Sequence, residues 1–286
     1  MMDLLKIGFH VSIIGRIDEA VDRAVEIGCN TFQIFTRNPR SWTAEKLKPN
    51  EVEAFIEKVE KYDMQPVFAH MPYLVNLASP RKNIYFLSVK TLKTELERCK
   101  VLRIPYLVTH LGSHLGSGKN EGFKRIIQAI DDAYSSLDEG VMLLLENTAG
   151  TRNSMGSSFE DIKYILDNLS SPDLVGVCFD TAHGYAAGYD LRTQAAVQET
   201  IRRFDDTIGF EKLRLVHLND SRGGLGSHID RHEHIGLGMI GEDGFRAILR
   251  SRLSRLPMIM ETPIDDRRSD VENLLKVLEL AEIKKN

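Results

Sequence analysis

The stretch VGVCFDTAHGYAAGYD, residues 175–190, decides how this chain is read. It opens as an apolar run, with Gly176 inside it, and ends on a carboxylate, Asp180. Such a run reads as a buried strand. His183 follows three residues later, in a segment rich in Gly and Ala that is expected to be a loop. Aspartate and histidine are both metal-ligand types, and the small residues around them let backbone and substrate come close.

Working outward, seven more short apolar runs have the same form. They are IGFH (7–10), TFQIF (31–35), PVFAH (66–70), YLVTH (106–110), VMLLLE (141–146), LRLVHL (213–218) and MIME (258–261). Segments with helical spacing lie between them. The first, 17–27, carries Ile17, Val21, Ala24 and Val25 and stops at Gly28, a good C-terminal cap. Others follow Pro49-Asn50, open at Ser79-Pro80 and end before Pro105, or cover 123–137, 191–208, 245–256 and 271–283. Ser158 is expected to cap a further helix, with Asp161 placed for a capping-box-like contact. Strands alternating with helices every ~25–45 residues predict one (β/α)8 barrel, an α/β fold spanning residues 1–286 as a single domain. A doubly wound open sheet is the alternative.

Composition narrows the class. With 286 residues and 42% hydrophobic content the chain can bury a large core, and a formal net charge of -4 gives no general basic surface. Cys29, Cys99 and Cys178 form no paired framework and no C-x-x-C, so a reduced, cytoplasmic setting is expected. The N-terminal MMDLLKIGFH is too short and too quickly polar for a signal peptide. No apolar run approaches the ~20 residues of a membrane span.

The predicted strand ends carry the chemistry. In a (β/α)8 barrel all strands point their C-terminal ends at one face, where the site lies. Here they end on His70, His110, Glu146, Asp180, His217 and Glu261, and the first strand ends on His10. One histidine after a strand is more often a structural residue than a ligand. Six strand ends of this kind are harder to dismiss, because crowded imidazoles and carboxylates need cations to offset desolvation and repulsion. Two loop pairs add donors: His183 after Asp180, and Asp230-Arg231-His232, whose outer residues face the same way in extended chain. Five histidines and four carboxylates exceed the four ligands of one zinc, so two or three ions are expected, zinc or manganese rather than magnesium.

These residues resemble the endonuclease IV family of AP endonucleases, metal-dependent DNA-repair enzymes on a TIM barrel. The matching stretches are GFHVSI (8–13), HMPYLVNLASP (70–80), HLGSH (110–114), LLENTAG (144–150), GVCFDTAHGYAAGYDLRT (176–193), HLNDS (217–221), DRHEHIGLGMIG (230–241) and IMET (259–262). They run from the first strand to the last. The FDTAHGYAAGYD and DRH-x-x-IG elements are highly specific, whereas GFHVS alone is weak.

The resemblance implies three Zn²⁺ per chain, with Mn²⁺ allowed at one site. His70, His110 and Glu146 would hold one ion. Glu146 would bridge to a second, completed by Asp180, His217 and Glu261, and His183, Asp230 and His232 would hold the third. It implies hydrolysis of the phosphodiester 5′ to an abasic site, leaving a 3′-hydroxyl and a 5′-deoxyribose phosphate, and removal of 3′-blocking groups. Glu146 and Glu261 are assigned catalytic roles in orienting the attacking hydroxide. Three divalent ions add six charges to a formal -4 and leave +2, so the face that meets DNA can be positive. Arg37, Tyr73 and Leu74 are the expected DNA-binding side chains, entering the duplex at the lesion. Without the resemblance, Tyr-Leu beside a barrel strand is more often loop packing. Trp42 reads as a packing anchor, and His10 and His114 as structural or supporting residues. The partner is duplex DNA with abasic or 3′-blocked lesions, with no membrane and a monomeric chain. His228, His234, Leu237 and the TRNSMG loop (151–156) depart from the family pattern. The rival reading is a metal-dependent sugar isomerase or epimerase on the same barrel, which has no use for Asp230-Arg231-His232 or Tyr73-Leu74. A DNA-binding relative with a decayed site is a weaker rival, since all nine ligands are present.

Overall fold

Eight parallel strands form the wall of a barrel in the computed structural model, which describes residues 5–135 and 140–282. The chain runs β1 (Ile7–Phe9), α1 (Glu19–Ile27), β2 (Phe32–Ile34), α2 (Pro49–Lys61), β3 (Val67–His70), α3 (Lys82–Val101), β4 (Tyr106–His110) and α4 (Lys119–Tyr134). It continues through β5 (Met142–Glu146), α5 (Phe159–Asp167), β6 (Val175–Asp180), α6 (Thr181–Ala187), α7 (Gln194–Thr207) and β7 (Leu213–His217). A small antiparallel pair, β8 (Asp220–Ser221) with β9 (His232–Glu233), follows. Then come α8 (Gly241–Leu249), β10 (Met258–Met260) and α9 (Asp270–Leu280). The sheet order is β1-β10-β7-β6-β5-β4-β3-β2. The barrel closes between β1 and β2 through one bridge, His10 with Gln33, where Val11 N donates to Gln33 O at 2.8 Å. Gly8 permits this seam, since a Cβ there would lie 1.7 Å from Thr31 O.

Side chains alternate along each strand, so outward residues meet helices and inward residues fill the barrel. Phe32 on β2 packs edge-on against Phe55 of α2, with ring centroids 6.1 Å apart. Inside, Phe68, Val108, Leu144, Cys178, Leu215 and Ile259 form a fully buried cluster of their own. Each large apolar side chain in that plug contributes about 1.5–3 kcal/mol by leaving water. Two residues beyond each stands His70, His110, Glu146, Asp180, His217 or Glu261. The polar layer is therefore the next one up in the same barrel.

The elements differ from the sequence reading in a few places. The segment after Asp180 is a helix, α6, and not a loop. Asp180 caps it by accepting from His183 N, and Gly188 ends it in the left-handed region at φ 109°. Alanine is the best helix former, so this small-residue stretch had the propensity for a helix once a cap was present. Ser158 caps α5 by accepting from Asp161 N, but the Asp161 carboxylate pairs with Lys119. The expected helix over 245–256 is α8 followed by a separate 3-10 turn, Arg252–Arg255. The expected helix ends at Leu137 and Ile283 lie outside the described residues. Among the described residues no helix is long and apolar enough to cross a membrane.

Candidate metal centre

The strand ends converge into three overlapping ligand groups. In each, the donor atoms lie within 4.8 Å of one another: His70, His110 and Glu146; Glu146, Asp180, His217 and Glu261; and Asp180, His183 and His232. Glu146 belongs to the first two groups and Asp180 to the last two. Asp230 stands beside the third, with Oδ1 3.2 Å from His183 Nε2. The sequence reading put Asp230 in that group with His183 and His232; Asp180 lies close to both histidines as well.

Each imidazole is aimed by its second nitrogen. His70 Nδ1–H donates to Met71 O at 2.8 Å, which leaves Nε2 facing Glu146 Oε2 at 3.0 Å. His183 Nδ1–H donates to Asn147 O at 3.0 Å, and His232 Nδ1–H to Glu261 O at 3.0 Å. In these three rings a backbone carbonyl leaves Nε2 as the free donor atom. His232 Nε2 is buried, has no hydrogen-bond partner, and lies 3.6 Å from Asp180 Oδ2. A buried nitrogen lone pair of this kind, turned toward a carboxylate, suits a metal ion between them.

The carboxylates are equally constrained. Asp180 Oδ1 accepts from His183 N and Oδ2 from Asn219 Nδ2, both at 2.7 Å. Asn219 also accepts from Glu261 N at 2.7 Å, and so ties the Asp180 carboxylate to the backbone of Glu261. Asn147 brackets the Asp180 backbone, accepting from its N at 2.7 Å and donating to its O at 3.0 Å. Asn147 and Asn219 adjoin ligands in LLENTAG and HLNDS, yet asparagine is not a ligand type, and the sequence reading passed over both.

Electrostatics follow from crowding. Burial works against charge on Glu146, but the His110 and His217 imidazoles outweigh it and hold this carboxyl well below the usual range. Burial likewise opposes charge on Glu261, where His217 and His10 keep it low. His217 and His183 are raised well above their ordinary value, against burial, by surrounding carboxylates and, for His217, by Cys178. His110, with burial dominant, is lowered. Anionic carboxylates facing basic imidazoles make a donor set matched to divalent cations.

The surroundings of the centre are open. A cavity of about 450 Å³ is lined by Arg222, Asp230, Arg231, His232, Glu261 and Asp265. Another of about 530 Å³ is lined by Tyr73, Leu74, Asn76, His110, Thr148 and Asp230. Asp230 lines both, so the ligands sit between two halves of one trough. Tyr73 is 64% exposed and Leu74 37%, on the rim. Arg37 differs from the expectation: it is buried, with Nε 2.8 Å from Glu95 Oε1, because a fully buried carboxylate needs a cation. The exposed arginine of that loop is Arg40, which the sequence reading missed, and Pro39 O beside it accepts from Tyr73 N at 3.1 Å. His228 Nδ1–H donates to Ala149 O at 3.0 Å and joins the loop after β5 to the one between β8 and β9. His234 is buried between Asn273 and Asp265.

Residues 21–281 match the xylose isomerase-like TIM barrel family. The chain is 54% identical over 280 residues to the probable endonuclease 4 of Methanoculleus marisnigri, covering 97% of this chain and 99% of that one. It is 49% identical over 280 residues to the probable endonuclease 4 of Nitrosopumilus maritimus, covering 97% and 100%. The crystal structure of endonuclease IV from Thermus thermophilus superposes with a TM-score of 0.85 at 36% identity, over 97% of this chain and 99% of that one.

Proposed function

This chain belongs to the endonuclease IV family of xylose isomerase-like TIM barrels, and from that premise we propose that it is a zinc-dependent AP endonuclease. It hydrolyses the phosphodiester 5′ to an abasic site in duplex DNA, and removes 3′-blocking groups. The observation that carries the reading is the sharing of Glu146 and Asp180 between neighbouring ligand groups. Shared carboxylates suit bridged ions, and bridged ions suit phosphoryl transfer.

Three Zn²⁺ fit this donor set, with Mn²⁺ tolerated at one position. His70, His110 and Glu146 would hold the first, and Glu146, Asp180, His217 and Glu261 the second. His183 and His232 would hold the third, with Asp180 and Asp230 close enough to join them. When bound, the ions supply a hydroxide nucleophile at neutral pH and offset charge on the phosphate and the leaving oxygen. The protein's part is orientation. Glu261 Oε1 is fixed by Gln33 Nε2 at 2.9 Å and His10 Nδ1 at 3.0 Å, which leaves Oε2 turned toward His217 and the centre. Glu146 is divided in the same sense, one oxygen toward His70 and the other toward His217. Tyr73, Leu74 and Arg40 are the groups placed to enter the duplex at the lesion, where the missing base lowers the cost of unstacking. Arg37 supports their loop from beneath.

The test is elemental analysis of bound metal on the same sample used to cleave a duplex carrying one abasic site. Close to three zincs with incision 5′ to the lesion is the expected result. One or two ions with no incision would overturn the reading in favour of a sugar isomerase or epimerase.

A further inference from the structure

Gln33 stands in the middle of β2 between Phe32 and Ile34, which are fully buried. Strand alternation turns its amide inward, at the seam where the barrel closes against His10. The side chain is fully buried and its atoms are all committed to the candidate centre. Gln33 Nε2 donates to Glu261 Oε1 at 2.9 Å, beside His10 Nδ1–H, which donates to the same oxygen at 3.0 Å, and Gln33 Oε1 lies 3.0 Å from His217 Nε2. A carboxylate oxygen only accepts, so the amide NH₂ must face Glu261 and the amide oxygen must face His217. His217 then donates Nε2–H to Gln33. Its Nδ1, 3.0 Å from Glu146 Oε1, is left as the atom toward the ions.

His217 is the exception among its neighbours. His70, His183 and His232 have their Nδ1–H fixed by backbone carbonyls and present Nε2. His217 presents Nδ1, and the partner that enforces this is a side chain. We propose that Gln33 is a positioning residue of the centre: its oxygen sets the tautomer with which His217 binds the second ion, and its NH₂ holds Glu261 Oε1 so that Oε2 is free for that ion. This rests on the metal reading above.

Two variants separate the two halves of the amide. Gln33→Met keeps the length of the side chain and removes both contacts. Gln33→Glu keeps an acceptor for His217 and sets a like charge against Glu261. Zinc-loaded wild type, labelled with ¹⁵N histidine, should show His217 with a slowly exchanging Nε2 proton and a metal-shifted Nδ1. Gln33→Met should lose the protection of that proton, release one zinc to a chelator about 10–100-fold faster, and lower kcat with little change in KM. Gln33→Glu should keep the protected proton and still lower kcat. A zinc-loaded wild type with His217 protonated on Nδ1 overturns the proposal without any variant. So does a zinc-loaded Gln33→Met with wild-type zinc release and kcat. Wild-type protein that takes up no zinc refutes the metal reading, and the Gln33 proposal with it, by a result distinct from either.

Discussion

Arg37 and Glu95 are a buried ion pair, Nε to Oε1 at 2.8 Å, in which charge and not hydrogen-bond alignment does the holding. The other Glu95 oxygen accepts from Thr36 Oγ1 at 2.6 Å, and Arg98 Nε donates to the same hydroxyl at 2.8 Å. Arg98 also reaches Glu45 O at 2.8 Å. Helix α3 thus anchors both ends of the loop that follows β2. Removing one member of such a pair leaves a bare buried charge and costs about 3–5 kcal/mol. Glu95→Ala and Arg37→Ala should each lower the urea midpoint accordingly. Arg40→Ala, at an exposed position, should leave the midpoint within about 0.5 kcal/mol and raise KM for an abasic duplex. An Arg37→Ala protein of full stability with a raised KM would show that Arg37, not Arg40, reaches the DNA.

Tyr73 is the larger of the rim side chains, and its ring meets Phe35 edge-on with centroids 5.0 Å apart. It is mostly exposed, so it contributes little to the core. Stacking on an unpaired base contributes about 1–3 kcal/mol. Tyr73→Ala should therefore weaken binding of an abasic duplex by ~10–100-fold while bound zinc and the melting temperature stay as in wild type. Unchanged affinity by anisotropy titration would return Tyr73-Leu74 to loop packing.

Chelation should act on stability as well as on activity. Glu146, Asp180 and His217 are fully buried, and bound ions would add to the attraction that the neighbouring imidazoles already supply to these carboxylates. A ligand present at 100 times its dissociation constant stabilises the native state by about 2.7 kcal/mol. Treatment with a chelator should abolish incision and lower the melting temperature, and zinc should restore both. Glu146→Gln, which removes the charge shared by two groups, should lower kcat by at least ~10²-fold and reduce bound zinc. Incision at wild-type rates in excess chelator would sink the metal mechanism.

The ligands could be found in the sequence for a definite reason. Each of the six at strand ends lies two residues beyond an apolar inward residue, so strand periodicity carries both to the barrel interior, and the polar one is the one that changes character. Other features left no such mark. Arg37 and Arg40 are chemically equal in TRNPRSW, and only the distant Glu95 decides which is buried. Gln33 reads as an ordinary residue inside TFQIF, because its partners come from strands 184 and 228 residues away. The closeness of Asp180 to His183 and His232 depends on α6, which the Gly and Ala content disguised as a loop.

Asp220 organises the segment that delivers Asp230 and His232. It is fully buried, and its two oxygens accept from Ser221 N, Gly236 N, Gly238 N and Ile240 N at 2.8–3.0 Å. Gly238 makes room, since a Cβ there would lie 2.5 Å from Asp220 Oδ1. A buried N–H left without a partner costs about 1–3 kcal/mol. Asp220→Ala should therefore destabilise the protein by several kcal/mol, about 3 or more, and loosen the β8-β9 pair. Asp220→Asn, with one acceptor oxygen in place of two, should fall between and lose one zinc first. A variant with full zinc content and an unchanged midpoint would show that the loop is held elsewhere.

Asp18 supplies a pH dependence away from the centre. It accepts from Arg16 Nε at 2.9 Å and Lys58 Nζ at 2.9 Å, and it sits at the N-terminus of α1, where negative charge is favoured. Burial would raise this carboxyl, but the Lys58 and Arg16 cations outweigh it and hold it below the ordinary value of 3.8. A carboxyl that is more acidic in the folded state stabilises the fold at pH values above its unfolded pKa. That contribution is lost as pH falls through the lower, folded value. Asp18→Asn should accordingly be less stable than wild type at pH 7, by about 1 kcal/mol for a partly exposed pair. The gap should narrow as pH drops below about 4, because the wild-type carboxyl then becomes protonated as well. Urea midpoints of the metal-free proteins between pH 7 and pH 3 measure it without interference from zinc release. A gap that stays constant or widens toward low pH would mean that the Asp18 charge does not hold α1 to α2.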